Sequence, residues 1–253
     1  MKIEPDESAF DWIRSGRSNR PKSTWTGIFV SHLIPPIFES YSKILHRVEA
    51  QYHDIDHPFT QAENAILRIP TCEPLRSFVE SRGTDPLKRR VKWGELAVLF
   101  NVPFTSEICH EWYRKTLEDP CWPHLLAGPG DGVLSDEECT ELSSTLMPFT
   151  NSEECFFRFS EVPLITSGGP QLFKGALSEV CGFPKGRALG FEYWWPPERD
   201  WCVCSNYDLE FTVVAGTTKL TSALLSSRVL ECIEVNPQTR VDSSAPMPLQ
   251  SAR

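Results

Sequence analysis

The segment HDIDH, residues 53–57, places two imidazoles and two carboxylates within five positions. Imidazole nitrogens and carboxylate oxygens are ligands that suit divalent metal ions. If a helix continued through this segment, His46, His53 and His57 would lie close to one of its faces. One function that the sequence predicts is therefore metal binding by His53, Asp54 and His57, with His46 as a further ligand.

The adjacent His53 and Asp54 resemble the motif of HD-type phosphohydrolases, in which a neighbouring His and Asp ligate the metal. The resemblance implies a metal-dependent, phosphohydrolase-like enzyme centred on HDIDH. The alternative is a solvated helix end and loop, because Asp54 and Asp56 are poor helix formers and Pro58 follows at once.

A second candidate is an aromatic segment in which three tryptophans lie within eight residues, 194–201. Tryptophans at this density indicate either a corner of the core or a binding surface with rigid aromatic anchors. Charged neighbours could form the rim of such a surface, although a salt-bridged hairpin end would also explain them. The predicted binding residues are Trp194, Trp195, Arg199, Asp200, Trp201 and Asp208.

Residues 93–114 have the pattern of a helix-turn-helix, with Ala97 on the first helix, a turn at Asn101 and Ile108 on the second. A DNA-binding regulator is thus a further alternative. Glu107 and Glu111 oppose it, because they stand where residues that face phosphate would be expected. A pair of packed core helices is the simpler interpretation.

The chain has 253 residues and a formal charge of -9, and its nine cysteines are scattered without a C-x-x-C pair. This pattern indicates buried, reduced thiols and neither a disulfide framework nor a zinc knuckle. An acidic surface repels phosphate, so nucleic acid is not an expected partner. The sequence lacks a membrane-length apolar run and a secretory signal, which predicts a soluble, cytoplasmic protein.

The elements that must position these residues begin with helices. From residue 36 to 52, apolar side chains recur at spacings of three and four, which predicts a helix beginning at Pro36. An apolar cluster predicts a second helix from Trp93. Ser135 and Glu138 form a capping box, which predicts a third helix.

Aromatic and β-branched residues dominate after residue 150 and predict a meander of strands. The last ordered elements are predicted to be a strand, a helix from about Leu220 to Leu224, and another strand. The predicted strands begin near Cys155, Phe191, Trp201, Leu209 and Val229.

Together these elements predict an α+β fold, with a helical N-terminal half packed on a mainly antiparallel sheet from the C-terminal half and a β-α-β unit at the end. We expect an irregular lead-in over residues 1–24, a single domain over 25–242 and a frayed tail over 243–253. Within the domain, the helical part spans about 25–150 and the sheet part about 151–242.

The segments FVSHLIPPIFESYSKILH, VKWGELAVLFNVPF, EYWWPPERDWCVCSNYDLEFTVVAG and LECIEV resemble a family of uncharacterised bacterial proteins. The resemblance covers residues 25–242 approximately. It implies a bacterial, intracellular protein and carries over no activity, cofactor or catalytic residue.

The chain contains no nucleophile elbow, P-loop or G-x-G-x-x-G motif, and no cofactor is expected. The leading hypothesis is therefore a non-catalytic protein that binds another protein through an acidic face and the aromatic hairpin region. A toxin-immunity protein would fit, because acidity speeds association with a basic toxin.

Overall fold

The computed structural model describes residues 1–19, 27–50, 89–116, 126–159, 171–182, 190–242 and 247. The chain divides into two compact units. The larger unit contains Met1–His46 and Asp131–Asp242, and the smaller contains Arg47–Gly130 and Ser243–Arg253.

The strands of the described ranges pair only in antiparallel fashion. They are β1 (Lys2–Glu4), β2 (Ser40–Leu45), β3 (Val48–Ala50), β4 (Arg89–Val91), β5 (Leu126–Ala127), β6 (Cys155–Phe159), β7 (Gln171–Gly175), β8 (Tyr193–Trp195), β9 (Cys202–Cys204), β10 (Phe211–Gly216) and β11 (Glu231–Val235).

The α-helices of the same ranges are short. They are α1 (Asp11–Gly16), α2 (Trp93–Leu99), α3 (His110–Thr116), α4 (Asp136–Leu146) and α5 (Thr218–Leu225). Turns of 3-10 helix occur at Glu7–Phe10, Val30–His32, Met147–Phe149 and Leu177–Gly182.

In the larger unit, the described strands form an eight-stranded sheet in the order β1-β7-β6-β8-β9-β10-β2-β11. One face packs against α4 and α5, where Leu142 and Leu220 join Trp194 and Val203 in the core. The other face carries Tyr193 and Trp195 against Phe10 of the N-terminal segment. The central strands are therefore covered on both sides.

The helix predicted from Pro36 is wrong: this stretch contains the strand β2, and the predicted helical N-terminal half is wrong with it. Strand β2 lies between β10 and β11, and all of its residues are buried. A strand buried on both faces does not alternate between apolar and polar residues, so its apolar spacing imitates that of a helix. Residues 2–16, placed in an irregular lead-in, contain β1 and α1.

The C-terminal predictions are largely confirmed. Strands β8, β9 and β10 form the expected meander, and Ser135 and Glu138 form the predicted capping box of α4. The terminal β-α-β unit consists of β10, α5 and β11. Strand β2 lies between its two strands, and both pair with β2 in antiparallel fashion, so the unit is a split β-α-β.

The smaller unit contains a described three-stranded sheet in the order β4-β3-β5, together with α2 and α3. Trp93, Trp112 and Tyr113 are fully buried, and Tyr113 Oη donates to the carbonyl oxygen of Trp93 at 2.8 Å. The helix predicted from Trp93 is thus confirmed as α2.

The helix-turn-helix pattern fits the smaller unit only in part. Asn101 has a φ of 53°, which suits the predicted turn. The connection from α2 to α3 spans residues 100–109, whereas a helix-turn-helix uses a turn of about three or four residues. Ile108, expected on the second helix, lies before α3.

No helix within the described ranges has both the length and the apolar character of a membrane span. The predicted tail, residues 243–253, lies outside the described residues except for residue 247.

Candidate interaction surface

Trp194 and Trp195 are adjacent residues of β8 and therefore point to opposite faces of the sheet. Trp194 is 4% exposed, and its Nε1 donates to the carbonyl oxygen of Phe191 at 3.2 Å. Trp195 is 1% exposed and stacks on Phe156, with ring centroids 5.5 Å apart. Both side chains belong to the core on their own face of the sheet.

Trp201 is also enclosed, and its Nε1 donates to Thr150 Oγ1 at 3.0 Å. All three tryptophans are therefore buried. Trp194 and Trp201, which belong to the core under α4 and α5, each donate their indole N–H to an acceptor within the protein. The core interpretation of the aromatic segment accounts for their positions.

Arg199 and Asp200 lie in the turn from β8 to β9, and both are exposed. Arg199 has a φ of 62°, and its backbone N–H donates to the carbonyl oxygen of Pro196 at 2.9 Å. The guanidinium carbon of Arg199 lies 5.3 Å from the ring centroid of Trp12, within the range of a cation–π contact. Asp200 Oδ2 accepts a hydrogen bond from Asn151 Nδ2 at 3.0 Å.

Trp12 and Phe38 lie beside this turn and form a partly apolar surface with it. Their rings meet edge to face with centroids 6.2 Å apart, and both side chains are half-buried. Ile37, next in sequence to Phe38, is 66% exposed. We call the group Trp12, Ile37, Phe38 and Arg199 the Trp12 surface.

The sequence does not predict Trp12, Ile37 and Phe38 as surface residues. Trp12 lies in the predicted irregular lead-in, and Ile37 and Phe38 belong to the apolar residues of the helix predicted from Pro36. The one local signal was the spacing of Phe10, Trp12 and Ile13, which marks an amphipathic turn.

Carboxylates flank each part of the Trp12 surface. Asp11 precedes Trp12, Glu39 follows Phe38, and Glu198 and Asp200 flank Arg199. All four carboxylate side chains are exposed. Hydrogen bonds from Thr218 lower the pKa of Glu39, which keeps this carboxylate ionised at neutral pH.

Trp12 also carries an unsatisfied polar group. Its indole Nε1 is enclosed and has no hydrogen-bond acceptor among the described residues. An enclosed donor without a partner costs about 1–3 kcal/mol. Within the described part of the chain, the Trp12 indole N–H therefore lacks an acceptor.

Asp208 does not lie with the other predicted binding residues. It is exposed in the turn between β9 and β10, at the opposite end of β9 from Asp200. Its backbone N–H donates to Asn206 Oδ1 at 3.1 Å, which stabilises that turn.

His46 follows β2 and is fully buried, at the same end of the sheet as Asp208. Its Nε2 lies 2.9 Å from Thr212 Oγ1, and Thr212 Oγ1 lies 2.8 Å from Ser205 Oγ. Ser205 Oγ donates to the carbonyl oxygen of Gly132 at 3.2 Å. Thr212 thus stands between the imidazole and the serine, so this chain of groups does not form a serine–histidine pair for nucleophilic catalysis.

The other residues of the predicted metal site, His53, Asp54 and His57, lie outside the described residues. Within the described ranges, no three His, Cys, Asp or Glu side chains come together in a way that could hold a metal ion.

Comparison of the chain with protein-family models, with curated proteins and with solved structures finds no match.

Proposed function

We propose that the protein acts by binding another protein through the Trp12 surface, and that this partner presents an apolar contact surrounded by Lys and Arg side chains. The observation that carries the proposal is a partly exposed apolar group, Trp12, Ile37 and Phe38, next to the turn from β8 to β9, with four exposed carboxylates adjacent in sequence. Interfaces commonly combine an aromatic or apolar centre with a polar rim.

The chemistry of the four residues suits this role. Trp and Arg are the residue types most often found at interface positions that dominate binding energy. Ile37 offers apolar area that a partner could remove from water. A partner carbonyl that displaced the Arg199 side chain from the Trp12 ring would also give the Trp12 indole N–H an acceptor.

Charge supports a basic partner. The chain carries a formal charge of -9, and carboxylates border the Trp12 surface. Opposite charge on the partner would speed association and would make it sensitive to salt. A toxin-immunity protein that neutralises a basic toxin domain is one function of this class.

The test compares two matched substitutions in the full-length protein. Ile37→Lys places a cation on the Trp12 surface. Val98→Lys makes the corresponding change at an apolar side chain that is 84% exposed in the smaller unit. Both positions are exposed, so neither substitution is expected to unfold the chain.

Wild-type protein and both variants would be immobilised, and proteins captured from the source cells would be quantified by mass spectrometry. We expect a basic partner to bind the wild type and Val98→Lys, and its affinity for Ile37→Lys to be about 30-fold weaker, as for loss of a 2 kcal/mol contact. Equal binding to all three proteins, or equal loss in both variants, would overturn the proposal.

A further inference from the structure

Helix α4 and the 3-10 turn Leu177–Gly182 bring two free cysteines together at the edge of the core. Cys139 and Cys181 are both partly exposed and pack against the core of the larger unit. Cys181 Sγ lies 3.8 Å from Ser143 Oγ. Cys139 is four residues before Ser143 on α4 and so lies on the same face of the helix, which places its thiol beside that of Cys181.

The two sulfurs have different chemical environments. Interaction with the Cys139 thiol is the main effect that lowers the pKa of Cys181 to about 7; Ser143 and Thr140 act in the same direction, and burial opposes them. The same contact with Cys181, together with burial, raises the pKa of Cys139 above that of an ordinary thiol. Of the two thiols, Cys181 is therefore the one that ionises more readily near neutral pH, and Cys139 keeps its proton.

A thiolate that is partly exposed and has a second thiol in contact is the arrangement of redox-sensing cysteines. Of the other described thiols, Cys232 is also partly exposed, and the remaining four differ from this pair. Cys109, Cys155, Cys202 and Cys204 are buried. Burial raises the pKa of Cys155 to about 12 and also raises that of Cys202.

We propose that Cys139 and Cys181 are a peroxide-sensitive pair, in which Cys181 is oxidised first and Cys139 then closes a reversible disulfide. This modification is independent of the Trp12 surface, so either proposal can fail without the other.

The first step forms a bond between Cys181 Sγ and one peroxide oxygen. The O–O bond breaks, hydroxide leaves and takes up a proton as water, and Cys181 becomes a sulfenic acid. In the second step Cys139 loses its proton and its sulfur attacks that of Cys181. The S–O bond breaks, and the departing hydroxide leaves as a second water.

In total, two thiols lose two electrons and two protons, and hydrogen peroxide gains both and becomes two waters. A dithiol reductant returns the disulfide to two thiols by thiol–disulfide exchange and itself becomes a disulfide. The disulfide sulfurs must approach to about 2.05 Å, so oxidation draws the Leu177–Gly182 turn closer to α4.

The experiment treats the full-length reduced protein with hydrogen peroxide at neutral pH and maps the products by mass spectrometry of unreduced peptides. The wild type is expected to yield a Cys139–Cys181 peptide that dithiothreitol separates. Cys139→Ser is expected to hold Cys181 as the sulfenic acid, trapped by dimedone, and Cys181→Ser to abolish both products.

Cys232→Ser is the matched control, since Cys232 is another partly exposed cysteine of the larger unit. It is expected to yield the wild-type products. Circular dichroism identifies any variant that fails to fold, and Cys139→Ala and Cys181→Ala then replace the serine variants.

A second measurement follows alkylation of Cys181 by iodoacetamide in the unoxidised protein. The rate is expected to rise with pH about a midpoint near 7. At pH 7 it should be about tenfold higher than for a cysteine in an unstructured peptide, where only a few per cent is thiolate.

Three results would overturn the proposal. They are a disulfide that joins another pair of cysteines, dimedone labelling at Cys139 in place of Cys181, and peroxide treatment that leaves both thiols free. Peptide mapping separates these products from any reaction at Cys72 or Cys121, which lie outside the described residues.

Discussion

Gly132 packs directly against the backbone of Tyr207: a Cβ atom added to Gly132 would lie 2.4 Å from Tyr207 Cα. The N–H of Gly132 donates to the carbonyl oxygen of Leu209 at 2.7 Å, and its φ is 63°. The loop before α4 is thereby attached to the turn between β9 and β10. No residue with a side chain fits this position without displacing one of the two segments.

Gly132→Ala is expected to destabilise the fold by about 3 kcal/mol or more, because the new Cβ meets backbone and the φ is unfavourable. Gly27→Ala is the matched control: Gly27 has a φ of 75° and open space around its Cβ position. It should cost only about 1 kcal/mol, the cost of the φ alone. Urea denaturation measures both losses. Equal losses would show that the Tyr207 contact has no energetic effect.

The hydroxyl groups beside Gly132 fix the direction of the buried hydrogen bonds. Ser205 gives its one proton to the carbonyl of Gly132, so it must accept from Thr212. Thr212 then has no proton left for His46, and His46 Nε2 must be the donor to Thr212 Oγ1. Each group from His46 through Thr212 and Ser205 thus donates to the next, and the carbonyl oxygen of Gly132 is the last acceptor. Hydrogen bonds aligned in this way polarise and strengthen one another.

His46 is therefore expected to carry a proton on Nε2. Nitrogen chemical shifts of the ring, measured by NMR on ¹⁵N-histidine-labelled protein, distinguish a protonated Nε2 from a bare one. Thr212→Val removes the acceptor and should change the Nε2 shift, whereas Thr221→Val, at a buried threonine of α5, should leave it unchanged. A bare Nε2 in the wild type contradicts the assigned direction.

Thr212→Val is also expected to cost about 1–3 kcal/mol of stability, because it leaves buried polar groups of His46 and Ser205 without that partner. Ser205→Ala removes the next hydroxyl of the chain. The double variant should lose less than the sum of the two single losses, since each single change already breaks the Ser205–Thr212 bond. Chemical denaturation of the four proteins gives the coupling energy, and strict additivity would show that the two hydroxyls act independently.

The sequence predicted the C-terminal half well because its information is local there. Strands β9 and β10 are joined by a short turn. Ser135 and Glu138, three residues apart, form a capping box and so predict the start of α4. In these elements, the residues that determine the structure lie within a few positions of one another.

Strand β2 shows what local patterns cannot provide. Its partners, β10 and β11, come more than 160 residues later in the chain, and they bury Ser42 and Lys43 along with the apolar residues. The same limit applies to the Trp12 surface, since Trp12, Phe38 and Arg199 meet only in the folded chain. The periodicity of one segment carries no information about contacts with residues that are distant in the sequence.

The buried thiol of Cys155 makes the stability of the larger unit depend on pH in the alkaline range. Burial, with a smaller effect of the nearby Glu198 carboxylate, raises the pKa of Cys155 from 9.0 to about 12. Between these values the unfolded chain loses the thiol proton and the folded chain keeps it. The unfolded state then binds fewer protons, so stability falls as pH rises, by at most about 1.4 kcal/mol per pH unit for this group.

Cys155→Ala should therefore flatten the decline of stability between pH 9 and about 12, whatever the substitution costs at neutral pH. Val203→Ala is the matched control, because Val203 belongs to the same core and has no titratable group. Its neutral-pH cost should resemble that of Cys155→Ala, while its pH dependence stays that of the wild type. Urea denaturation at steps of pH from 8 upward compares the three slopes. A Cys155→Ala slope as steep as that of Val203→Ala would mean that Cys155 ionises as readily in the folded protein as in the unfolded chain.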